Sequence, residues 1–543
     1  MYLTTLNGLL GKAVRLTVAE RFKKLDFDLL EEPFRLRNET DNAWRCEFWG
    51  KIVRSAVTAA VAEQDQELKS LLDKTVQNIM KTQTPDGCIS SYPAELQLKG
   101  WDIWGRKYVL LALLRYYKML NGDPAVLECC CRMVDHLMTQ VGWEEGTKNI
   151  LECGMHGGMA SASILGAIVE LWRLTGNEKY RDFADDIIYS GCSAQGDLFD
   201  DIMAGITPAA LGNGKAYEMT SCVQGVAELS LIDPDARRLE VVKRYYEAVR
   251  DREIFVTGSG GAKDRCGEYW HDGALRQTRF TPGIGLGETC VTATWIHYCA
   301  AVLALTDDPA VADELEKSLY NGILGAMAPD GSHWMHVNPT PLTGEGFKAC
   351  AVDQIENCFK KPFGGHDCCR AQGPEGLVTA CAVAVTEKEN TLTVNLFEAL
   401  ETADLIIEGD YPAAPEAKIR FKEKSSKTLR LRIPAFLEKV TLNGEEIPFT
   451  KGTYLAIERE WSADDILVLF FDFTLQVIPA PDGSPFVAVK RGPLLLAADS
   501  RGEVPGAAVN VTWKEIPLCD YASAGNLFSE DNPLTVWFFR GDL

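Results

Sequence analysis

The chain has 543 residues, of which 46% are hydrophobic and 24% are charged, and its formal net charge is −22 at pH 7. This length exceeds what one compact core usually organises, so we expect a globular protein of at least two domains. The acidic balance argues against nucleic acid or an anionic membrane surface as a partner, because both require a basic face.

The N-terminal segment, MYLTTLNGLLGKAVRLTVAERF, has no basic stretch ahead of an apolar run and no small-residue cleavage site. No uninterrupted apolar stretch approaches the roughly 20 residues that span a bilayer. We therefore expect a cytoplasmic protein with no membrane partner. Its 17 cysteines are then expected to be mostly free, buried thiols, as in the Cys129-Cys130-Cys131 triplet of PAVLECCCRMVDHLM.

From about residue 45 to residue 386 the chain repeats an amphipathic helix, a short turn and a second helix. The turns carry Gly, Asp or Asn where one helix ends and the next is capped, often with Pro in the first turn. They lie around Asp65, Asp123, Asn177, Asp233 and Asp308, and a sixth hairpin is expected near residues 315–386. The first four turns recur every ~55 residues, a period typical of helical-hairpin arrays.

Such an array forms either an open solenoid or a closed toroid. An open solenoid usually presents a ridged concave surface to a protein partner. Here the loops between hairpins are rich in Trp, His and Glu, as in WRCEFWGK, KGWDIWGRKY, ECGMHGGM and CGEYWHDG. This composition favours a pocket at one end of a closed (α/α)6 barrel, and we predict that barrel over residues 1–386.

A glycine-rich segment, TGSGGAKDRCGEYWHDG, places Glu268 beside Tyr269, Trp270 and His271. A carboxylate among apolar neighbours has a raised pKa and is suited to general acid catalysis, whereas a solvated loop glutamate is the ordinary alternative. Aromatic rings beside carboxylates are also typical of sugar sites, because rings pack on the C–H faces of sugars while acids bind hydroxyls.

Four potential metal ligands follow in two segments, Glu288 and Cys290 in GLGETC and Cys368-Cys369 in GGHDCCRAQG. Three thiols and a carboxylate are a plausible tetrahedral Zn²⁺ shell. We expect the first two at the start of a helix and the cysteine pair in a loop before the helix PEGLVTACAVAV. The alternatives are that Cys290 is a core residue and Glu288 a first-turn acid favoured by the helix dipole, or that the zinc is purely structural.

After about residue 387 the pattern changes to short segments of strand character, among them TLTVNLF, KIRFKE, TLRLRIP and FVAVKRGPLLLA. Asn443-Gly444 is a strong hairpin signal. We predict an all-β domain, a β-sandwich, over residues 387–543. This domain also offers a surface through which the protein would form a homodimer.

Taken in order, the motifs resemble those of glycoside hydrolase family 127, the β-L-arabinofuranosidases with an (α/α)6 barrel and β-sandwich domains. The matching segments are PDGCISSYP, MHGGM with LWRLTGNEKY, TGSGGAKDRCGE, GETC, LYNGILGAMAPDGSHWMHVNP, HDCC, VTLNG and KRGPLLLAA. They cover nearly the whole chain. The pairing of GETC with the cysteine pair, together with the upstream Gly-Glu, is the specific part of the resemblance.

The resemblance implies a retaining glycosidase that acts on a small carbohydrate substrate with bound Zn²⁺. Cys368 would be the nucleophile and Glu268 the general acid/base. The implied zinc ligands are Glu288, Cys290, Cys368 and Cys369. The candidate substrate contacts, which combine the resemblance with aromatic and acidic loop positions, are His156, His336, Trp49, Glu47 and His271.

Several positions depart from the family pattern. A histidine-rich family segment reads WRCEFWGKIVRSA here, and a second is replaced by LFDDIMAGITPAALGNGKAYEM. The cysteine pair is followed by Arg370-Ala371 rather than Pro, and His336 stands where the family has a tyrosine. We expect the same chemistry on a different sugar, and Lys51, Arg106 or Arg370 near the pocket would suit an acidic one.

Two other functions remain as alternatives. The first is a zinc enzyme of another reaction class, namely a hydrolase using metal-bound hydroxide, an epimerase or a lyase, since helical toroids host all of these. The second is a non-catalytic helical scaffold in which zinc only holds the barrel together.

Overall fold

The computed structural model describes residues 3–263, 267–278, 286–340, 367–526 and 533–542. Helices predominate up to Val383 and strands from Val385 onwards, so the predicted order of a helical barrel followed by β structure is confirmed. The part of the predicted sixth hairpin at 341–366 lies outside the described residues. The α-helices are α1 (Leu9–Glu20), α2 (Phe27–Leu36), α3 (Phe48–Ala62), α4 (Gln66–Met80), α5 (Asp102–Tyr116), α6 (Pro124–Met138), α7 (Met159–Ala162), α8 (Leu165–Thr175), α9 (Glu178–Tyr189), α10 (Leu198–Met203), α11 (Ala216–Ser230), α12 (Ala236–Arg252), α13 (Thr289–Thr306), α14 (Pro309–Lys317), α15 (Leu324–Ala326), α16 (Cys368–Val383) and α17 (Tyr521–Gly525).

An inner ring of helices closes on itself. In order around the ring, α3, α5, α8, α11, α13 and α16 each pack on the next, and α16 packs back on α3. An open solenoid would leave the first and last helices apart, so the toroid prediction is confirmed. α3 and α5 are buried around almost their whole circumference, while α4 and α6 bury only one face, as expected for inner and outer layers.

The predicted turns are N-caps in the structure. Asp65 accepts a hydrogen bond from Leu68 N (2.8 Å), and Asp308 accepts one from Ala310 N (2.9 Å). Asp123 and Asn177 cap α6 and α9 in the same way. In the fourth turn the cap is Asp235, not Asp233, so the helix begins two residues later than the turn signal indicated.

The inner helix α13 is also the one helix among the described residues whose length and composition match a membrane span. Sixty-seven per cent of that span is buried inside the fold. A core helix of a globular protein gives the same signal, so the match is weak evidence for a membrane.

The helix α16 begins earlier than predicted. Asp367 is its N-cap and accepts from Arg370 N (2.8 Å), so Cys368 and Cys369 form the first turn rather than a preceding loop. Pro374 lies inside the helix, where its missing N–H leaves the Arg370 carbonyl without an intrahelical donor. The Arg21 guanidinium donates to that carbonyl instead, which explains how the helix continues past the proline.

The strands of the described residues are β1 (Thr5–Leu6), β2 (Ala262–Lys263), β3 (Gly267–Glu268), β4 (Leu286–Glu288), β5 (Val337–Pro339), β6 (Val385–Lys388), β7 (Thr391–Val394), β8 (Leu400–Glu401), β9 (Leu405–Glu408), β10 (Glu416–Phe421), β11 (Thr428–Ile433), β12 (Leu437–Leu442), β13 (Glu445–Glu446), β14 (Thr453–Ile457), β15 (Leu467–Phe471), β16 (Leu475–Pro479), β17 (Phe486–Arg491), β18 (Leu494–Asp499), β19 (Asn510–Trp513), β20 (Ile516–Asp520), β21 (Leu534–Thr535) and β22 (Phe538–Phe539).

The β portion, predicted as one sandwich over 387–543, contains three sheets. A seven-stranded sheet in the order β1-β8-β9-β10-β15-β12-β13 and a four-stranded sheet in the order β14-β11-β7-β6 lie in the main buried core. A further sheet, β16-β17-β18-β20-β19 with β21 and β22, contributes Val489 and Leu496 to the same core, and its Leu495 packs with Trp537 in a second apolar cluster. The N-terminal strand β1 pairs with β8, which ties the first residues of the chain to the β portion.

The strands are short throughout the chain. Two small antiparallel pairs, β2 with β3 and β4 with β5, lie at one end of the barrel and carry the residues described next.

Candidate active site

The four predicted metal ligands meet at one point, here called the Cys/Glu cluster. Ligand atoms of Glu288, Cys290, Cys368 and Cys369 all lie within 4.8 Å of one another. The Cys369 thiol donates to Glu288 Oε1 (2.6 Å), and the Cys368 and Cys369 sulfur atoms are 3.9 Å apart. The first turns of two neighbouring inner helices, α13 and α16, therefore bring together residues from distant parts of the sequence.

Local backbone pairing fixes the carboxylate of the cluster. Glu288 ends β4, which pairs with β5, and caps α13 by accepting from Val291 N (2.8 Å). A side chain at Gly287 would lie 2.2 Å from Ser259 Cβ, so only glycine allows this close approach. The same pairing brings in His336, whose Nε2 is 3.4 Å from Glu288 Oε1.

The cluster suits a metal ion by its donor set and its dimensions. Zinc–sulfur bonds of about 2.3 Å in a tetrahedral shell place sulfur atoms about 3.8 Å apart, close to the 3.9 Å between Cys368 and Cys369. A second group shares the two adjacent cysteines: the ligand atoms of His336, Asp367, Cys368 and Cys369 also lie within 4.8 Å of one another. The four residues predicted from the sequence can therefore hold a metal ion.

The members of the Cys/Glu cluster differ in exposure. Glu288, Cys290 and Cys369 are completely buried, whereas Cys368 is half-buried. Hydrogen bonds from Cys290 and Cys369 hold the pKa of the Cys368 thiol well below its usual range, and the charges of His336 and Lys51 act in the same direction. Cys368 is thus the least buried thiol of the cluster and the one that most favours the thiolate.

Glu268 lies beside this cluster. It ends β3, paired with β2, and the next residue is held by a hydrogen bond from Tyr269 N to Gly261 O (2.8 Å). Burial raises the pKa of Glu288 well above its usual range, and the charge of Glu268 adds to that effect, which places the two carboxylates near each other. The Glu268 side chain is 13% exposed, so it is largely shielded from the bulk solvent.

Two residues that the sequence reasoning missed contact or approach Glu268. The Lys215 ammonium, just before α11, donates to Glu268 Oε2 and lies over the Tyr269 ring. Glu218, one turn further along, is buried, and burial raises its pKa to about 7 with a further contribution from Glu268. The signal for them was the sequence GKAYEM, where Lys and Glu three residues apart lie on one face of a helix start.

Two buried polar residues at the start of α3 lie near Cys368: Glu47, the N-cap of the helix, and Lys51 in its first turn. Glu47 and Lys51 form a buried ion pair (3.0 Å), and the Trp104 indole N–H donates to Glu47. Burial raises the pKa of Glu47 to about 7, and the nearby Cys368 charge acts in the same direction. The Lys51 ammonium lies 4.8 Å from the centre of the Tyr217 ring. The predicted position of Glu47 near the site therefore agrees with the structure.

Trp49 is not brought into this site. Trp49 follows Glu47 by two residues, so its side chain faces another side of the helix. It is fully buried and donates its indole N–H to Thr75 Oγ1 (2.9 Å). Its position is that of a core residue between α3 and α4. The predicted substrate contact is therefore replaced by a packing role.

His156 lies in the loop before α7 and does approach the pocket. Its Nδ1 is 3.2 Å from Asn213 Nδ2, and its ring centre lies 5.5 Å from that of Trp101 and 6.4 Å from that of Tyr269. Burial lowers the pKa of His156 to about 4, assisted by the Lys215 charge, so the imidazole is neutral near pH 7.

His271 lies on the far side of the Glu268 loop. Its backbone N–H donates to Glu253 Oε2 (2.9 Å), and its Nδ1 is 3.1 Å from the Tyr269 carbonyl. The described contacts of His271 therefore stabilise the loop that carries Glu268, and none reaches the Cys/Glu cluster.

A buried ion network crosses the barrel. Glu375 of α16 forms ion pairs with Arg54 of α3 (3.1 Å), Arg115 of α5 (2.7 Å) and His297 of α13 (2.6 Å). Despite complete burial, the two guanidinium groups hold the pKa of Glu375 far below its usual range. The network thus links four of the inner helices.

A cavity of about 60 Å³ adjoins this network, and Lys107 lines it. Lys107 donates to Ser163 Oγ (3.1 Å) and lies 4.1 Å from the Trp104 ring centre. Burial lowers the pKa of Lys107 to about 7, so this side chain is only partly charged near neutral pH.

Comparison with known proteins gives the family. A model described as "Beta-L-arabinofuranosidase, GH127 catalytic domain" matches residues 8–380, and one described as "Beta-L-arabinofuranosidase, GH127 middle domain" matches residues 391–473. The first covers the helical barrel and the second covers the strands from β7 to β15. The chain therefore belongs to glycoside hydrolase family 127.

Individual relatives are distant in sequence. A non-reducing end β-L-arabinofuranosidase from Bifidobacterium longum subsp. longum is 24% identical over 379 residues, which is 63% of this chain and 55% of the relative. The alignment thus spans about half the length of that relative.

Solved structures show the same fold over the whole chain. A GH127 β-L-arabinofuranosidase from Geobacillus stearothermophilus T6 aligns with a TM-score of 0.76 at 18% identity, covering 99% of each chain. A second GH127 β-arabinofuranosidase aligns with a TM-score of 0.77 at 17% identity, covering 99% of this chain and 96% of the other.

Proposed function

We propose that the protein is a retaining β-L-arabinofuranosidase that releases a terminal sugar, with Cys368 as nucleophile and Glu268 as general acid/base. The observation that carries the proposal is the difference in exposure within the Cys/Glu cluster. Three donors are completely buried, whereas Cys368 keeps part of its surface accessible. A purely structural metal site has no need of one accessible ligand near a carboxyl group that is itself 13% exposed, as Glu268 is.

The reaction balances with these two side chains. In the first step the Cys368 sulfur attacks the anomeric carbon while the Glu268 carboxyl group protonates the glycosidic oxygen, so a C–S bond forms as the C–O bond breaks. In the second step Glu268 removes a proton from water, the water oxygen attacks the same carbon, and the thiolate leaves. Two successive inversions retain the configuration of the sugar.

The donor set supports Zn²⁺ as the metal, held by Glu288, Cys290, Cys368 and Cys369. When bound, zinc keeps the cysteine sulfur atoms deprotonated at neutral pH. The protein's own groups act in the same direction, because the charges of Lys51 and His336 lower the pKa of Cys368. Burial of the other three donors leaves Cys368 as the sulfur that a substrate can reach.

The surrounding residues support a neutral sugar. Each of the three cations that suggested an acidic substrate already has a carboxylate partner. Lys51 pairs with Glu47 (3.0 Å), Arg106 pairs with Asp102 (2.7 Å), and Arg370 lies 3.6 Å from Asp367. Neutral His156 and the nearby rings of Trp101 and Tyr269 offer the apolar faces and hydrogen-bonding groups that a pentose uses.

The central experiment is covalent trapping. The protein is incubated with a β-L-arabinofuranosyl haloacetamide, digested and analysed by mass spectrometry, and we expect the label on Cys368. Substrate at millimolar excess should protect against labelling. Absence of a label at Cys368, with hydrolysis of an aryl β-L-arabinofuranoside intact, would contradict the thiolate mechanism and favour metal-bound hydroxide.

A variant tests the second residue. Glu268→Gln should lower kcat by about 10²–10⁴-fold, because proton transfer to the leaving group is lost. Metal content should remain at the wild-type level, since Glu268 is not a ligand. Glu240→Gln, which changes an exposed glutamate on α12 paired with Arg244, is the matched control and should leave activity unchanged. A Glu268→Gln protein with wild-type kcat would remove Glu268 from the mechanism.

A further inference from the structure

A pair of exposed aromatic side chains lies outside the site described above. The ring centres of Trp143 and Tyr189 are 5.6 Å apart at an interplanar angle of 73°. Trp143 is 53% exposed and Tyr189 is 79% exposed. Single exposed apolar residues are ordinary on a protein surface, but two large rings held against each other in solvent form a platform.

This aromatic platform is on the same end of the barrel as the Cys/Glu cluster. Trp143 follows the C-terminal end of α6. There Gln140 accepts a hydrogen bond from Arg106, near the start of α5 (2.9 Å), and donates one to Gln97 in the loop before α5 (3.0 Å). Tyr189 ends α9, and the chain just after it returns to the His156 loop through a hydrogen bond from Ala194 N to Gly157 O (2.8 Å).

Trp143 is presented by an ordered turn. Gly142 N donates to the Lys148 carbonyl (3.0 Å), and both the backbone and the hydroxyl group of Thr147 donate to the Glu144 carbonyl (3.1 and 2.7 Å). The ring therefore has a defined orientation before any ligand arrives, which lowers the entropy lost on binding.

Carboxylates surround the platform. Glu144 follows Trp143 directly, and Asp186 lies one helical turn before Tyr189 on α9. Burial raises the pKa of Asp186, and the charges of Asp182, Asp185 and Glu144 add to the effect, which shows that these acids are grouped. An acidic rim repels anions and accepts hydrogen bonds from hydroxyl groups, while the rings offer faces for C–H groups.

We propose that Trp143 and Tyr189 form an outer docking site for a neutral oligosaccharide, which binds the part of the substrate remote from the cleaved terminal sugar. The acidic rim favours a polyhydroxylated neutral chain over an acidic polymer. Trp143 lies in the turn after the outer helix α6, and Tyr189 ends the outer helix α9. Outer helices lie one helix layer of about 10 Å outside the inner ring, so the two rings would contact sugar units beyond the first. This inference rests on the proposed glycosidase function for the identity of its ligand.

The test compares a long and a short substrate. The ratio of kcat/KM for a linear L-arabinotetraose to kcat/KM for an aryl β-L-arabinofuranoside is measured in the wild type and in Trp143→Ala/Tyr189→Ala. We expect this ratio to fall about tenfold in the variant, because the contacts of one partly buried ring are worth roughly that factor. An unchanged ratio would overturn the docking site.

The matched control is Phe539→Ala. Phe539 is 38% exposed and lies edge-to-face on Phe486 at 5.7 Å, an equivalent ring pair on the C-terminal sheet. This variant should keep the wild-type ratio. A fall of the same size in Phe539→Ala would show that the effect is general to surface aromatic residues and would overturn the proposal.

Direct binding separates this inference from the proposed function. Tryptophan fluorescence titration with the tetrasaccharide should show quenching in the wild type that is lost in the Trp143 variant. If the wild type hydrolyses neither substrate but the quenching persists, the glycosidase proposal fails and the docking site holds. Equal binding of the tetrasaccharide by wild type and variant would refute the docking site. It would also be refuted if sedimentation velocity showed that the wild type is a dimer and the double variant a monomer, because the rings would then form a subunit interface.

Discussion

The buried Glu375 network gives a prediction whose size follows from the structure. In Glu375→Gln the carboxylate that pairs with Arg54, Arg115 and His297 becomes a neutral amide. Two guanidinium groups in the barrel core then lose the carboxylate that is paired with them. Removing one partner of a buried ion pair typically costs about 3–5 kcal/mol.

That loss converts into a measurable shift in melting temperature. The catalytic-domain match covers residues 8–380. An unfolding entropy of about 2.1 cal/mol/K per residue gives roughly 0.8 kcal/mol/K for a unit of that size, so Tm should fall by about 4–6 °C. Differential scanning calorimetry of wild type and variant at pH 7 measures the difference.

The exposed pair on α12 provides the matched comparison. Glu240→Gln breaks an ion pair with Arg244 in which both side chains are 45% exposed. Solvent screens such a pair, and its loss should cost less than about 1 kcal/mol. If the Glu375→Gln and Glu240→Gln shifts are equal, the network does not stabilise the barrel as its geometry indicates.

The pH dependence checks the sign of the effect. The pKa of Glu375 in the folded protein is depressed below its ordinary value of 4.5. Its stabilising contribution is therefore complete above about pH 4.5, and it is lost as the pH falls from there towards the pKa of Glu375 in the folded protein. The difference between wild type and Glu375→Gln should shrink below pH 4.5, and a constant difference down to pH 3 would refute the reasoning.

Three further predictions concern other residues. Cys290→Ser should reduce the metal content of the purified protein from about one ion per chain to a small fraction of that in plasma emission spectrometry, while Cys381→Ser, a change at a buried thiol on α16 outside the cluster, should not. Trp49→Phe should lower the free energy of unfolding by about 1–2 kcal/mol through the lost hydrogen bond to Thr75 without raising KM, and a raised KM would restore Trp49 to the substrate site. Lys107→Met should raise Tm at pH 7, because between pH 7 and 10.5 the unfolded chain binds a proton that the folded lysine does not. The gain in Tm should vanish above pH 10.5, where lysine is neutral in both states. A gain in Tm that does not change with pH would contradict burial as its cause.

Several helix starts could be predicted from neighbouring residues alone. Side chains such as Asp65 and Asp308 cap the helix that follows them, so their positions could be recognised without tertiary information. Glu288 and Cys290 likewise lie at a helix start that their own neighbours specify. The cysteine pair was singled out because two adjacent thiols in a loop have little packing purpose, although the structure places the pair in the first turn of α16.

The errors arose where distant residues decide the local structure. Pro374 indicated a helix start, but Arg21 donates to the carbonyl that the proline leaves unpaired, and the helix extends back to Cys368. The direction in which the Trp49 side chain points depends on the residue at which α3 begins, after the short 3-10 turn at Arg45–Glu47. The residues of that turn do not by themselves specify where the helix begins. Lys215 could not be assigned to the site because its partner, Glu268, is 53 residues away.

The packing of α16 against the earlier inner helices also determines when the Cys/Glu cluster assembles during synthesis of the chain. The Arg115–Glu375 contact spans 260 residues, and α16 is the last inner helix to leave the ribosome. Closing so long a loop is entropically unfavourable until the intervening helices are packed, so ring closure is expected late in folding. Because Cys368 and Cys369 begin that same helix, a chain that has not yet closed the ring has no complete Cys/Glu cluster. The complete cluster is thus confined to molecules whose barrel has closed.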